Sequence, residues 1–330
     1  MARLIRLEFP GACYHVINRG NYRRDLFAAK GTAQAFEQVL LEAATRYGWR
    51  LHAYAIMRNH FHLAVELTEP NLSVGMKWLQ GTWAVRFNRY QQEAGRPFQG
   101  RFKALHVEPG HALAQVCHYI HLNAVRAKVV TPARLAEFRW SSLHWYLSKE
   151  RPGCLEAETL LSESGRLIDT KAGWQKYLGY LGVLAATDPK ERDEKYGQLS
   201  RGWCVGTAGY RQAMKKDLRA RGADLKKHGL AGVDPEAWRE ERGQQWERKL
   251  VAGAKALGLK LAKLPARKSA PEKVQLAALL RMSSAVPNGW LAERLQMGPA
   301  ASVSQYLRRF RLAGAERERV FAKALSKFNT

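Results

Sequence analysis

Between residues 13 and 108 the hydrophobic pattern switches repeatedly between a period of two and a period of 3.6, and few folds accommodate that order. "CYHVINR" (13–19) alternates like a strand, and Ala33, Phe36, Leu40, Ala43 and Tyr47 then recur at helical spacing until Gly48 stops them. "RLHAYAI" (50–56) and "HFHLAVEL" (60–67) are the second and third strands, joined by the turn "MRN". After Pro70 a helix over 71–93 carries Leu72, Met76, Leu79, Trp83, Phe87 and Tyr90 on one face, and "RFKALHVE" (101–108) is the fourth strand. A third helix is expected over 111–128. Strand, helix, strand, strand, helix, strand is the order of the split βαβ unit. The expectation is therefore an α+β fold, a ferredoxin-like βαββαβ palm with an antiparallel sheet, strands one and three central and helices on one face.

Past Pro132 the pattern changes. "FRWSSLHWYL" closes the first domain, and charged helical segments fill the region to 265, among them "YRQAMKKDLRARGADLKKHG" with seven basic residues against two acidic. "KLPARKSAPEK" (263–273) has linker composition. The expected division is a palm over 1–150, a helical middle region over 151–265 and a compact terminal module over 266–330. In that module "NGWLAERLQMGPAASVSQYLRRF" (288–310) places Leu291 and Leu295 on one helix, a turn at "QMGPAA", and Val303 and Leu307 inward on a second helix. Arg308 and Arg309 point outward with Ser302 and Gln305, the pattern of a helix-turn-helix whose second helix enters the DNA major groove. A plain helical hairpin has the same pattern.

Charge narrows the partners. The 330 residues carry 54 Lys and Arg against 29 Asp and Glu, a net charge of +25, while hydrophobic residues make up 46%. A folded, strongly basic chain has nucleic acid as its default partner. The basic residues are scattered, and no stretch has the length of a bilayer span or the form of a signal peptide, so a membrane partner is not expected and the cytoplasm, with the nucleoid, is the expected location. Cys13, Cys117, Cys154 and Cys204 stand far apart without a C-x-x-C pair, which argues for free thiols and against a zinc ribbon or disulfide framework.

Two residues apart on a strand, His60 and His62 share a face, while Phe61, Leu63 and Val65 point into the opposite layer. Imidazoles roughly 7 Å apart along the backbone can converge on one cation. A single histidine on an apolar strand is ordinarily a core residue, and only a third ligand with a reactive neighbour separates the two readings. "CHYIHLN" offers both: on a helix Tyr119 and Asn123, four apart, share a stripe with Gln115 and Arg126 beside the apolar side formed by Leu113, Val116, Cys117, Ile120 and Ala124. A divalent metal held by His60, His62 and the Asn123 carbonyl would leave positions open for phosphate oxygens, with the Tyr119 hydroxyl placed for in-line attack. An unperturbed tyrosine, with a pKa of about 10, is a poor nucleophile and needs that environment to react.

In "YHVINRGN", "MRNHFHLAV", "GRPFQGRFKALHVE" and "YIHLNAVRAKVV", four ordered blocks across about residues 10–145, the chain resembles the single-tyrosine HUH (IS200-like) transposases, and within them the REP-associated tyrosine transposases. The resemblance implies His60 and His62 as metal ligands, Asn123 as the third ligand and Tyr119 as the nucleophile. It implies cleavage of single-stranded DNA to a 5′-phosphotyrosine and a free 3′-hydroxyl, resealed later by another 3′-hydroxyl. The implied substrate is a repetitive extragenic palindrome, a hairpin with an unpaired guide at its foot. Magnesium is the metal such a family suggests, while imidazole ligands suit manganese better. Arg19, Asn21 and Arg23 in the "NRGNYRR" turn, with Arg101, Lys103 and Arg126, are candidate contacts to backbone and guide, against the bland reading of a solvated basic surface. The terminal module adds a candidate duplex contact. Where the family pattern runs "LNPVRAG", this chain has Ala124 and Lys128. Either a monomer or a homodimer is compatible with the pattern. Two other readings compete: a DNA-binding regulator that keeps the palm as a scaffold, and a replication or conjugation nicking enzyme, which ordinarily carries longer helicase or relaxase sequence.

Overall fold

The computed structural model describes residues 6–186, 196–227, 235–284, 286–315 and 318–328. Contacts divide the chain into two compact units, one of residues 1–44 and 48–220, the other of residues 45–47 and 221–330.

In the first unit β1 (Cys13–Arg19) leads through a short turn to α1 (Thr32–Tyr47), β2 (Trp49–Ile56), β3 (His60–Leu67), α2 (Leu72–Gln91) and β4 (Lys103–Val107). There follow α3 (His111–His121), α4 (Asn123–Arg126), α5 (Ser142–Tyr146), α6 (Glu158–Ser162), α7 (Lys171–Ala186), β5 (Cys204–Val205) and α8 (Ala208–Lys227). The sheet order is β2-β3-β1-β4-β5, so the first and third strands are central as expected of the ferredoxin-like palm. The first four strands pair antiparallel, with Arg19 opposite His60 and Ile17 opposite His62. A central strand is covered on both faces, and six of the eight residues of β3 are buried, His62 among them.

Alternation along β3 sends successive side chains to two different layers. Phe61 meets Phe36 of α1 at 4.7 Å between ring centroids, and Phe36 meets Trp83 of α2 at 5.7 Å, so α1 and α2 cover one face. His62 points the other way, to Tyr119 of α3. Close helix-to-strand packing makes one glycine obligatory: a Cβ at Gly75 of α2 would overlap the Trp49 indole, which is pinned by its Nε1 donating to Asn71 Oδ1 at 2.8 Å. On α1 the buried carboxylate of Glu37 accepts both guanidinium nitrogens of Arg139 at 2.8 Å and the Tyr54 hydroxyl at 2.7 Å, which satisfies a charge that burial alone would make costly.

Three features differ from the sequence expectation. The helix expected over 111–128 ends at His121 and resumes as one turn, α4; Lys128, where the family pattern has glycine, takes the left-handed conformation at φ 57°. Tyr90, placed on the apolar face of α2 by its spacing, lies in the last turn of the helix and is 61% exposed. The third is β5, a two-residue strand parallel to β4, with the His106 amide donating to the Trp203 carbonyl at 2.9 Å. Two residues are too few to show a period.

The second unit is helical: α9 (Pro235–Ala256), α10 (Pro271–Ser283), α11 (Asn288–Arg294), α12 (Ala300–Leu312) and α13 (Arg319–Phe328). Leu250, Leu276, Leu279, Leu280, Leu291, Met297, Val303, Leu307 and Phe321 share one core. Val303 and Leu307 are inward and Arg308 and Arg309 exposed, as the helical spacing predicts. Among the described residues no helix is long and apolar enough to cross a membrane, and all four cysteines are free thiols.

Candidate active site

The turn "MRN" delivers the chain into β3 so that His60 sits half-buried at the strand's first position and His62, two residues in, is buried. Their rings lie 5.1 Å apart and nearly perpendicular. On the same face α3 presents Tyr119, with its ring 5.4 Å from that of His62. Arg126 of α4 lays its guanidinium 4.8 Å above the Tyr119 ring and 5.5 Å from that of Tyr196. The structure brings His60, His62, Tyr119 and Arg126 together on one face. Asn123 belongs to it through the helix backbone: its Nδ2 donates to the carbonyls of Tyr119 at 3.1 Å and Ile120 at 3.4 Å, which leaves Oδ1 as the atom available to a ligand.

Burial sets the charge state. The His60 imidazole is pushed down to about 4 by burial and by Arg19, and that of His62 lies well below the ordinary range through burial and the neighbouring His15, His60, Arg126 and Arg19. Both are neutral at physiological pH, the form that donates a lone pair to a metal. Among the described residues no group of three or more His, Cys, Asp and Glu could hold a metal ion. The histidine pair would therefore complete its shell with the Asn123 amide oxygen, water or phosphate. Two imidazoles and oxygen donors form a set that fits a divalent cation of the manganese type.

Three contributors escaped sequence reading. His15 of β1 is fully buried with Nε2 2.9 Å from His62 Nδ1 and Nδ1 2.7 Å from the Leu199 carbonyl. Tyr196 packs edge-on to Tyr119 at 5.6 Å. Tyr22, inside the "NRGNYRR" turn, is 94% exposed. His15 stands in "CYHVINR", where period two places it on the inward face with Cys13 and Ile17; Leu199 and Tyr196 lie more than 130 residues along the chain, and no local signal links them to β3.

The candidate DNA contacts divide. Arg19, Arg23 and Arg101 are exposed and Asn21 is half-exposed. The turn bearing them is held beside His60 by hydrogen bonds from the Gly20 amide to the Asn59 carbonyl at 2.8 Å and from the Asn21 amide to the Pro97 carbonyl at 2.8 Å. Lys103 is exposed but donates Nζ to the Ser200 carbonyl at 2.9 Å.

Residues 9–123, about one third of the chain, match the family model described as "Transposase IS200 like". This segment is similar to the IS200-like transposases. The match covers the elements from β1 to α3 and ends at Asn123, and so includes His60, His62 and Tyr119. The chain is also similar to the solved structure of a REP-associated tyrosine transposase bound to a REP hairpin, at 15% identity and a TM-score of 0.39, over 48% of this chain and 93% of that one. No curated protein matches the chain.

Proposed function

We propose that the protein cleaves and rejoins single-stranded DNA at the foot of a hairpin of the repetitive extragenic palindrome type, with Tyr119 as nucleophile. The observation that carries this reading is the placement, within one chain, of the Tyr119 ring against the neutral His62 with Arg126 over it. His60 and His62, with the Asn123 Oδ1, would hold a Mg²⁺ or Mn²⁺ ion. Such an ion supplies orientation and charge neutralisation to the phosphate oxygens. Arg126 adds a fixed positive charge where negative charge gathers during phosphoryl transfer. Attack by the Tyr119 oxygen on phosphorus breaks the bond to the 3′ oxygen and leaves a 5′-phosphotyrosine and a 3′-hydroxyl. One phosphodiester replaces another, so a second 3′-hydroxyl can reverse the step without an energy source.

The "NRGNYRR" turn would bind the unpaired guide, with Arg19, Arg23 and Arg101 on phosphates, Asn21 on a base edge and Tyr22 offering a ring for stacking. Lys103 would contribute after giving up its carbonyl partner. In the second unit, α11 and α12 would act as a helix-turn-helix, with Arg308 and Arg309 on duplex DNA.

One observation favours the second reading, a regulator that binds hairpins without cutting them: Tyr119 is only 5% exposed and lies against Tyr196. Denaturing electrophoresis separates the two. Incubated with Mn²⁺ or Mg²⁺ and hairpin oligonucleotides from its gene's flanks, the wild type should form a covalent adduct and a shortened strand, and Tyr119→Phe should form neither. Tight hairpin binding by both proteins with no adduct from either would establish the regulator.

A further inference from the structure

Both histidines of β3 have one ring nitrogen already committed inside the protein, and the identity of each partner dictates where the proton sits. A backbone carbonyl can only accept, so the 2.7 Å contact between His15 Nδ1 and the Leu199 carbonyl places the proton on His15 Nδ1. The neutral His15 ring then has only a lone pair on Nε2. Its 2.9 Å partner, His62 Nδ1, must be the donor, and His62 Nε2 is left bare.

The second chain runs the same way. Asn59 Nδ2 donates to the Arg23 carbonyl at 3.1 Å, which fixes the amide so that Oδ1 faces His60 Nδ1 at 2.7 Å. An amide oxygen only accepts, so His60 carries its proton on Nδ1 and its Nε2 is bare as well. Two unrelated relays, one ending on Leu199 and the other on Arg23, therefore impose the same tautomer on both rings.

We infer that His15 and Asn59 are positioning residues that preset His62 and His60 as Nε2 ligands for a divalent cation before any cation binds. The inference rests on the proposed metal-holding role of the histidine pair and adds the residues that prepare it. Partners of this kind orient ligand rings and fix their tautomer, and their loss typically lowers metal affinity by about 10–100-fold. The His15 relay also makes residues 196–199, beyond the segment matched by the family model, part of the site's support.

Nitrogen NMR of the metal-free full-length protein labelled at histidine reads the tautomers directly, and titration with Mn²⁺ followed by electron paramagnetic resonance reads affinity without catalysis. Expected are Nδ1–H signals for His60 and His62 in the wild type, and Mn²⁺ affinity about 10–100-fold lower in His15→Phe and in Asn59→Ala. His15→Gln, whose amide can both accept from His62 and donate to Leu199, should stay closer to wild type than His15→Phe. Hairpin binding in EDTA should be unchanged in His15→Phe and His15→Gln, which separates lost positioning from lost folding; for Asn59→Ala, whose side chain also braces Arg23 in the guide-binding turn, an unchanged circular dichroism spectrum and thermal midpoint serve that purpose. Nε2–H signals in the wild type would overturn the inference, as would Mn²⁺ affinities of His15→Phe and Asn59→Ala within twofold of wild type. Nδ1–H signals in a wild type that neither binds Mn²⁺ nor forms the phosphotyrosine adduct would uphold the tautomers, and would instead defeat the proposed function and the ligand role.

Discussion

Tyr22 stands 94% exposed in a left-handed backbone conformation, φ 49°, and Arg23 follows it at φ 59°. Bulky residues seldom occupy that region, and two in succession persist only where the surroundings hold them, here the bonds from Gly20 to Asn59 and from Asn21 to Pro97. A rigid turn that spends its conformational freedom on displaying an aromatic ring suits an unpaired base, whose stacking is worth about 1–3 kcal/mol. Tyr22→Ala is expected to weaken binding of a hairpin with an unpaired foot by roughly 10-fold in a fluorescence anisotropy titration, with the salt dependence unchanged, while Tyr22→Phe keeps wild-type affinity. Equal weakening on a blunt hairpin would place the ring elsewhere than on the guide. Such a residue is invisible to periodicity. Its type and its neighbours "NRGN" mark a basic turn, but exposure and positive φ belong to the folded backbone.

At the scale of elements, α2 lies so close to β2 that Gly75 touches the Trp49 indole, and the Trp49 to Asn71 hydrogen bond keeps the ring from yielding. Overpacking of that kind typically costs about 1–3 kcal/mol, so Gly75→Ala should lower the thermal midpoint by several degrees while Gly81→Ala, which meets no atom on the same helix, should not lower it. On α12 the exposed pair Arg308 and Arg309 makes a second testable element. Replacing both with Ala should make the log affinity for duplex DNA about two units less steep in log salt while leaving cleavage of a bare single strand unaltered. An unchanged slope would remove α12 from the duplex surface. The helices and strands that bear the site were legible because each is long and periodic: β1, α1 and β3 occupy the spans their patterns predict. The break between α3 and α4 was not, since Leu122 interrupts no sequence pattern.

Over the whole molecule, buried imidazoles link folding to pH. His121 is closed in by the Tyr177 hydroxyl at 2.9 Å and Ser142 Oγ at 2.9 Å, and is pushed down to about 3 by burial and by His118; burial pushes His106 to about 4. Both folded values lie below the ordinary value near 6.5, so the native state resists a proton that the unfolded chain accepts. Their stabilising effect is complete above pH 6.5 and declines as pH falls toward 4, by about 1.4 kcal/mol per pH unit for each ring. Thermal denaturation between pH 7.5 and 4.5 should show the midpoint falling with acid, and His121→Gln should flatten the fall; a slope identical to wild type would show that His121 accepts its proton in the native state. The sequence by itself determined the palm, the shared face of His60 and His62 and the stripe of Tyr119 and Asn123, because those follow from periods of 2 and 3.6 within single elements. Only the tertiary structure decided that His15 backs His62, that Tyr196 and Leu199 close over the site, and that β5 extends the sheet. Those contacts join residues far apart in the chain through single hydrogen bonds and ring edges, which have direction and distance but no period.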